Sequence, residues 1–151
     1  MLIGLISDTH GLLRREALNA LSGVSRIIHG GDIGGPEILE ELRSVAPVDA
    51  VSGNNDRGPW ARALPLSLTL ELEGVKLHVL HDLKEIALDP AAEGISLVMS
   101  GHSHRPGILE RDGVLYVNPG SAGPRRFHLP VTVAHLRLKG GHAQAEIQQL
   151  L

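Results

Sequence analysis

Three short stretches decide the fold: MLIGLISDTH at residues 1–10, VSRIIHGGD at 24–32 and VDAVSGNND at 48–56. Each opens apolar and closes on Asp, His or Asn. Met1 to Ser7 is nearly continuous in apolar residues, the pattern of a strand buried on both faces. Val24 to His29 and Val48 to Ser52 repeat it. Between the first two, Leu13, Ala17, Leu18 and Leu21 recur at helical spacing over Leu12 to Leu21. Between the second and third, Ile38, Leu39, Leu42 and Val45 line one face of a helix over Pro36 to Val45, with Pro36 in its first turn. Strand, helix, strand, helix, strand predicts a parallel sheet with right-handed crossovers.

The second half changes character. Leu66, Leu68, Leu70 and Leu72 alternate with Ser67, Thr69 and Glu71, a period-two strand with one wet face. Glu73-Gly74 turns it into Val75 to Leu80, completing a hairpin. A short helix or irregular stretch is expected over Leu83 to Glu93, then a buried strand over Ile95 to Met99. Two more hairpins follow. Ile108 to Arg111 pairs with Val114 to Val117 about Asp112-Gly113, and Val131 to Leu138 pairs with His142 to Ile147 about Gly140-Gly141. No repeat, linker or low-complexity segment interrupts the chain. One α/β domain with two sheets is expected over residues 1–151.

The 151 residues are 42% hydrophobic and 21% charged, enough apolar surface for one self-standing core. A formal charge of −3 gives no basic field for strong nucleic-acid or anionic-membrane binding. The absence of cysteine excludes a disulfide scaffold, a thiolate zinc site, an iron–sulfur cluster and a cysteine nucleophile. Met1 to Ser7 has no basic leader and is too short for a signal peptide. No apolar run reaches the roughly 20 residues of a membrane helix. A cytoplasmic protein with no membrane partner is expected; a homo-oligomer is allowed but not required. Phe, Tyr and Trp occur once each against nine His, and the His positions carry the functional signal.

Five strand ends present ligand-type side chains: Asp8-Thr9-His10, His29-Gly30-Gly31-Asp32, Gly53-Asn54-Asn55-Asp56, His81-Asp82 and Gly101-His102-Ser103-His104. Ligands of open α/β sheets bind at the carboxyl ends of strands. Each piece also has a bland local reading. Asp8 and Asp32 could cap the helices that follow. Gly53 to Asp56 alone reads as a turn, and His81 alone as a core or surface histidine. Bland readings at five matched strand ends would be a coincidence. Asp8, His10, Asp32, Asn54, His81, His102 and His104 can therefore converge on one edge. Seven ligands exceed one four-coordinate zinc and suit two divalent metal ions sharing a carboxylate. Two carboxylates against two dications leave the site net positive, a seat for phosphate. Imidazole and carboxylate without sulfur suit Mn²⁺, taken first here, or Fe²⁺, Co²⁺, Ni²⁺ or Zn²⁺.

These segments, in this order over residues 8–104, resemble the calcineurin-like metallophosphoesterase superfamily. Asn118-Pro119-Gly120-Ser121 further resembles its short, single-domain bacterial and archaeal phosphodiesterase branch. The resemblance implies a two-sheet β-sandwich flanked by helices, in four layers α/β/β/α. It implies that Asp8, His10 and His104 hold the first metal, that Asn54, His81 and His102 hold the second, and that Asp32 bridges. It also implies hydrolysis of a small phosphoester by a metal-activated water, with diesters favoured and a phosphomonoesterase as the nearest alternative. A protein-binding scaffold is a further reading, because a subunit of the eukaryotic retromer complex shares the fold. A nuclease is another. The complete ligand set favours an enzyme, and the acidic chain argues against tight duplex binding.

Two positions depart from the family pattern. Asn55 stands where many members carry a His read as general acid or transition-state contact. An amide donates a hydrogen bond but no titratable proton, so esters with good leaving groups are expected. Asp82 stands where the family often has Gly, and would either orient His81 or cap the next turn of chain. Arg57 and Arg105 directly follow ligand segments and are the candidate phosphate clamps. Arg105 and Asn55 are the candidate transition-state contacts, Arg57 and Asn55 the candidate substrate contacts; Arg125 and Arg126 read as solvated. Ser103 is not a serine-hydrolase nucleophile, since Arg105 stands where that elbow requires Gly. His29 reads as packing or as support behind the ligands. His78, His128, His135 and His142 read as structural or exposed.

Overall fold

A computed structural model describes all of residues 1–151. Ten strands form two five-stranded sheets. The first has the order β10(His142–Gln149), β9(Thr132–Lys139), β1(Leu2–Ile6), β2(Arg26–His29), β3(Val48–Ala50). β1, β2 and β3 run parallel, and β9 joins β1 antiparallel with Leu5 opposite Ala134. The second has the order β4(Ser67–Leu72), β5(Val75–Leu80), β6(Leu97–Met99), β8(Val114–Asn118), β7(Gly107–Arg111). Its centre, β5, β6 and β8, is parallel, and its two edges are hairpin partners.

The apolar residues sort by face. Ile3 and Leu5 of β1 point between the sheets, where they meet Leu77, Val79, Leu97 and Met99 from the second sheet and Leu136 from β9. Ile6 points the other way, into a cluster with Ala17, Leu21, Ile38, Leu39 and Leu42 from the helices α1(Arg15–Ala20) and α2(Pro36–Arg43). Both crossovers therefore lie on one face, as right-handed connections in a parallel sheet require. The layer outside the second sheet is thin. Leu80, Ile95, Val98 and Val114 are covered by Ile86 and Leu88, from the chain just after a single 3-10 turn (Leu83–Glu85), and by Tyr116 of β8 itself.

The hairpin turns are as expected. Glu73-Gly74 and Asp112-Gly113 both hold positive φ at each central residue, the geometry that matches strand twist. Several element bounds differ from the sequence expectation by two residues or more. α1 starts at Arg15 rather than Leu12, because Gly11 sits at φ 81° and Leu12 N–H closes a turn on the Thr9 carbonyl at 2.9 Å. β3 stops at Ala50; Ser52 N–H then pairs with the Pro65 carbonyl at 3.0 Å instead of with β2. A one-turn helix, α3(Pro59–Arg62), follows Gly58-Pro59. No helix is long and apolar enough to cross a membrane.

The inter-sheet cluster makes the two sheets one rigid body. Leu97, fully buried at its centre, tests this: Leu97→Ala is expected to cost about 2–5 kcal/mol in chemical denaturation. A loss below about 1 kcal/mol would mean that the sheets repack freely.

Candidate metal centre

Backbone pairing carries Asp8 and Asp32 to the same level. The β1–β2 register ends at Ile6 opposite His29, and the following loops extend it. Asp8 N–H donates to the Gly31 carbonyl at 3.0 Å, and His10 N–H to the Asp32 carbonyl at 2.9 Å. Neither aspartate caps a helix: α1 and α2 start after Arg14 and Gly35, with no side-chain cap. Both carboxylates are instead buried.

The two oxygens of Asp8 differ. Oδ2 accepts from Ser7 Oγ at 2.6 Å and from the His102 backbone N–H at 3.1 Å. Oδ1 is buried with no hydrogen-bond partner. It faces His104 Nε2 at 3.3 Å, His10 Nε2 at 3.8 Å and His81 Nε2 at 3.9 Å. Asp32 is gripped by Asn55, whose backbone N–H donates to Oδ1 at 2.9 Å and whose Nδ2 donates to Oδ2 at 3.0 Å. Asp32 Oδ2 also faces His81 Nε2 at 3.2 Å and His10 Nε2 at 3.7 Å.

His81 defines what fits between them. Its Nδ1 lies 2.7 Å from the Gly30 carbonyl, to which it can only donate. The neutral ring therefore presents a lone pair at Nε2, which is buried without a hydrogen-bond partner and aimed at both carboxylates. Burial favours the neutral ring, but the contacts to Asp32 and Gly30 and the charge of Asp8 outweigh it, so the pKa of His81 lies above its ordinary value. Burial would likewise raise both aspartates. For Asp8 the contacts to His104 and Ser7 win, and for Asp32 those to His81 and Asn55, and both carboxyls stay below the usual range. Burial pushes His10 down, against Asp32 and Asp8, with the charges of His104 and Arg126 adding to the fall.

Two three-residue groups have their donor atoms within 4.8 Å of one another: Asp8, His10 and His104, and Asp8, Asp32 and His81. Neither carboxylate pairs with a Lys or Arg; all their ion pairs are to histidine. Carboxylate and imidazole donors with orphaned lone pairs fit divalent cations of the first transition row. Asn54 and His102 form an open lip, with Asn54 Oδ1 3.2 Å from His102 Nδ1 and the His102 ring edge-on to His81 at a centroid distance of 5.2 Å. All seven candidates thus lie at one rim, four buried, His10 half-buried and two exposed.

Five of the seven have left-handed backbone: Asp8 at φ 56°, His10 at 46°, Asp32 at 53°, His102 at 70° and His104 at 62°. This conformation is disfavoured for L residues, and strain of this kind is retained where the surroundings over-determine it. The surroundings include glycine at a point of contact: a Cβ on Gly101 would overlap Ser7 Oγ and Asp8 Oδ2.

Several supporting residues act through contacts that only the fold brings together. The Asp56 carboxylate accepts from Gly53 N–H at 2.8 Å, Ile33 N–H at 2.9 Å and Gly34 N–H at 3.0 Å, tying the loop after β3 to the loop after β2. Asn118 Nδ2 holds the Gly101 carbonyl at 3.0 Å, and Ser121 Oγ holds the Asp8 carbonyl at 3.0 Å. His29 is packing: Nδ1 accepts from Gly31 N–H, Nε2 meets Thr9 Oγ1, and burial lowers its pKa to about 4. Asp82 caps the 3-10 turn through Lys84 N–H at 3.1 Å and lies 3.7 Å from His102 Nε2, so it addresses His102 rather than His81. Arg105 lines a cleft beside His102, whereas Arg57 is simply exposed. Arg126, read as solvated from sequence, is near enough to act on His10.

The raised His81 pKa has a defined sign. In the metal-free protein its stabilisation is present below about pH 6.5 and is lost as pH rises through the folded value. A cation at Nε2 must displace that proton. Calorimetric titration with Mn²⁺ at pH 7, in two buffers of different ionisation enthalpy, is expected to show release of up to about one proton from this site, declining at higher pH. Heat that is independent of buffer would contradict the assignment.

Residues 1–141 match the calcineurin-like phosphoesterase superfamily domain. A Methanothermobacter thermautotrophicus protein named "Probable metallophosphoesterase" is 35% identical, with 97% of this chain and 91% of that one covered. A Methanocaldococcus jannaschii phosphodiesterase is 28% identical, covering 80% of this chain and 83% of its own. Among solved structures, an archaeal phosphodiesterase superposes with a TM-score of 0.81 at 25% identity, covering 98% of this chain and 100% of that one. Vps29 of Chaetomium thermophilum, at 19% identity and a TM-score of 0.80 over 99% of this chain and 96% of its own, shares the fold. This chain belongs to the calcineurin-like phosphoesterase superfamily.

Proposed function

We propose that the chain hydrolyses small phosphodiesters with the help of two divalent metal ions, Mn²⁺ first among Mn²⁺, Fe²⁺, Co²⁺, Ni²⁺ and Zn²⁺. The observation that carries this reading is the pair of orphaned buried atoms, Asp8 Oδ1 and His81 Nε2, 3.9 Å apart, with Asp32 Oδ2 3.2 Å from the same nitrogen. Asp8, His10 and His104 would hold one ion, Asn54, His81 and His102 the other, and Asp32 both. Bound divalent cations supply Lewis acidity, bringing the pKa of water toward neutrality and offsetting charge on phosphoryl oxygens.

The chain's own residues set the geometry for that chemistry. Ser7 and the His102 N–H occupy Asp8 Oδ2, so Oδ1 alone points inward. The Gly30 carbonyl fixes the His81 tautomer. Asn55 fixes Asp32 through two hydrogen bonds, which makes it a positioning residue; its contact with a phosphoryl oxygen would have to share that amide. Arg105, in the cleft beside His102, is placed to meet developing negative charge, and Arg57 follows on the exposed side of the Asn54 loop. Diester over monoester is supported by relatives described as phosphodiesterases. The Vps29 likeness supports a scaffold by fold alone, and the complete ligand set favours hydrolysis. The expected setting is the cytoplasm.

Elemental analysis of reconstituted protein is expected to give two metal ions per chain in the wild type. Asp32→Asn should weaken both sites and His104→Ala chiefly one, with chelator lowering the melting temperature of the wild type. Saturation at one ion would overturn the dinuclear reading.

Asn55, at the position where many family members place a general acid, has no titratable proton to give a departing alkoxide. A general acid typically contributes about 10²–10⁴-fold. The kcat/KM for aryl esters is therefore expected to depend steeply on the pKa of the leaving group. A flat dependence across the series would reveal an acid that this assignment lacks.

A further inference from the structure

Two clefts meet at the lip of the metal centre. The larger, ≈ 570 Å³, is walled by Leu83, Ile108, Leu109 and Tyr116, with Lys84 and Arg105 among its lining residues. The smaller, ≈ 430 Å³, is lined by Ser52, Asn54, Ser67, Glu85 and Leu66 among others, and holds no Lys or Arg. Asp82 and His102 line both, and their side chains lie 3.7 Å apart, so this pair is the wall between them. The apolar surface is concentrated there. Of the eight large hydrophobic residues exposed on the whole chain, Leu83, Ile108 and Leu109 face the larger cleft and Leu66 faces the smaller.

A phosphomonoester has one organic substituent to place, whereas a diester has two. Small-molecule sites combine apolar walls with a few polar groups that fix orientation. The larger cleft offers apolar side chains and one tyrosine ring, a surface for a flat apolar group. The smaller offers two hydroxyls, an amide and the carboxylates of Asp82 and Glu85 with no Lys or Arg, a surface that favours neutral hydroxyl donors and disfavours a second anion.

Resting on the phosphoesterase reading, we propose that the two clefts are unequal subsites for the two substituents of a phosphodiester. An aromatic substituent lies against Leu109, Ile108 and Tyr116, and a hydroxylated, sugar-like one lies against Ser52, Ser67 and Glu85. His102 and Asp82 separate them beneath the phosphoryl group. Leu109 and Ser67 are exposed on edge strands, so both can be changed with little effect on the core.

Binding is tested first, by calorimetry on manganese-loaded protein with phenylphosphonate and methylphosphonate, neither of which can be hydrolysed at an ester. The phenyl compound is expected to bind about tenfold more tightly, and Leu109→Asp to remove most of that ratio. Turnover is tested second, with thymidine 5′-(4-nitrophenyl) phosphate against methyl 4-nitrophenyl phosphate, which share a leaving group. The thymidine ester is expected to have about tenfold higher kcat/KM, and Ser67→Phe to bring the two within about twofold. Thermal melts confirm that both variants are folded. Equal binding of the two phosphonates by the wild type, or the same loss for both in Leu109→Asp, overturns the aromatic subsite. Equal turnover of the two diesters by the wild type, or an unchanged ratio in Ser67→Phe, overturns the sugar subsite. Selective phenylphosphonate binding without hydrolysis of either ester supports the aromatic subsite while overturning the phosphoesterase reading.

Discussion

Two aspartates, Asp8 and Asp32, are buried within reach of the same histidines, and no Lys or Arg is paired with either. Burying a charge is expensive unless it is compensated, and removing one partner of a buried pair is more expensive still. The surrounding structure reads as a response to that constraint. One oxygen of Asp8 is satisfied by Ser7 and His102, while both oxygens of Asp32 receive bonds from Asn55. Asp8 Oδ1 and His81 Nε2 are left with no hydrogen-bond partner. In the protein alone a proton on His81 meets part of that demand, which is why its pKa rises despite burial.

The sandwich architecture makes such a set attainable. The first sheet delivers Asp8, Asp32 and Asn54 from the ends of three parallel strands, and the second delivers His81, His102 and His104. The two halves of the ligand set belong to different sheets, so the apolar packing between the sheets also sets the distances within the site. Bonds across the junction tighten it: His81 to the Gly30 carbonyl, His102 N–H to Asp8, and Ser121 to the Asp8 carbonyl. The strained backbone at five ligand positions is held by these contacts and by close packing at Gly101.

The sequence made the fold and the rim legible for a simple reason. Apolar periodicity marks strands and helices, and polar residues at strand ends mark the carboxyl edge of a sheet. It left Asp8 and Asp32 open between cap and ligand, because the two roles use the same residue in the same place. The structure separates them by starting α1 at Arg15, well past Asp8, and α2 at Pro36, past Asp32. Other features were not legible. Left-handed φ at Asp and His has no composition signal, and the three backbone donors gathered by Asp56 lie on two loops separated in sequence. Asn55, a candidate contact for substrate, also gives one amide N–H to Asp32, a partner that only tertiary structure could name.

Two cations at this rim, with an aspartate between them, are what the proposed function requires. Anomalous diffraction from crystals of manganese-loaded protein, collected at the manganese edge, tests this directly. Two peaks per chain are expected, one against Asp8, His10 and His104 and one against Asn54, His81 and His102, with Asp32 reaching both. A single peak at saturating metal, or peaks away from these residues, would contradict it.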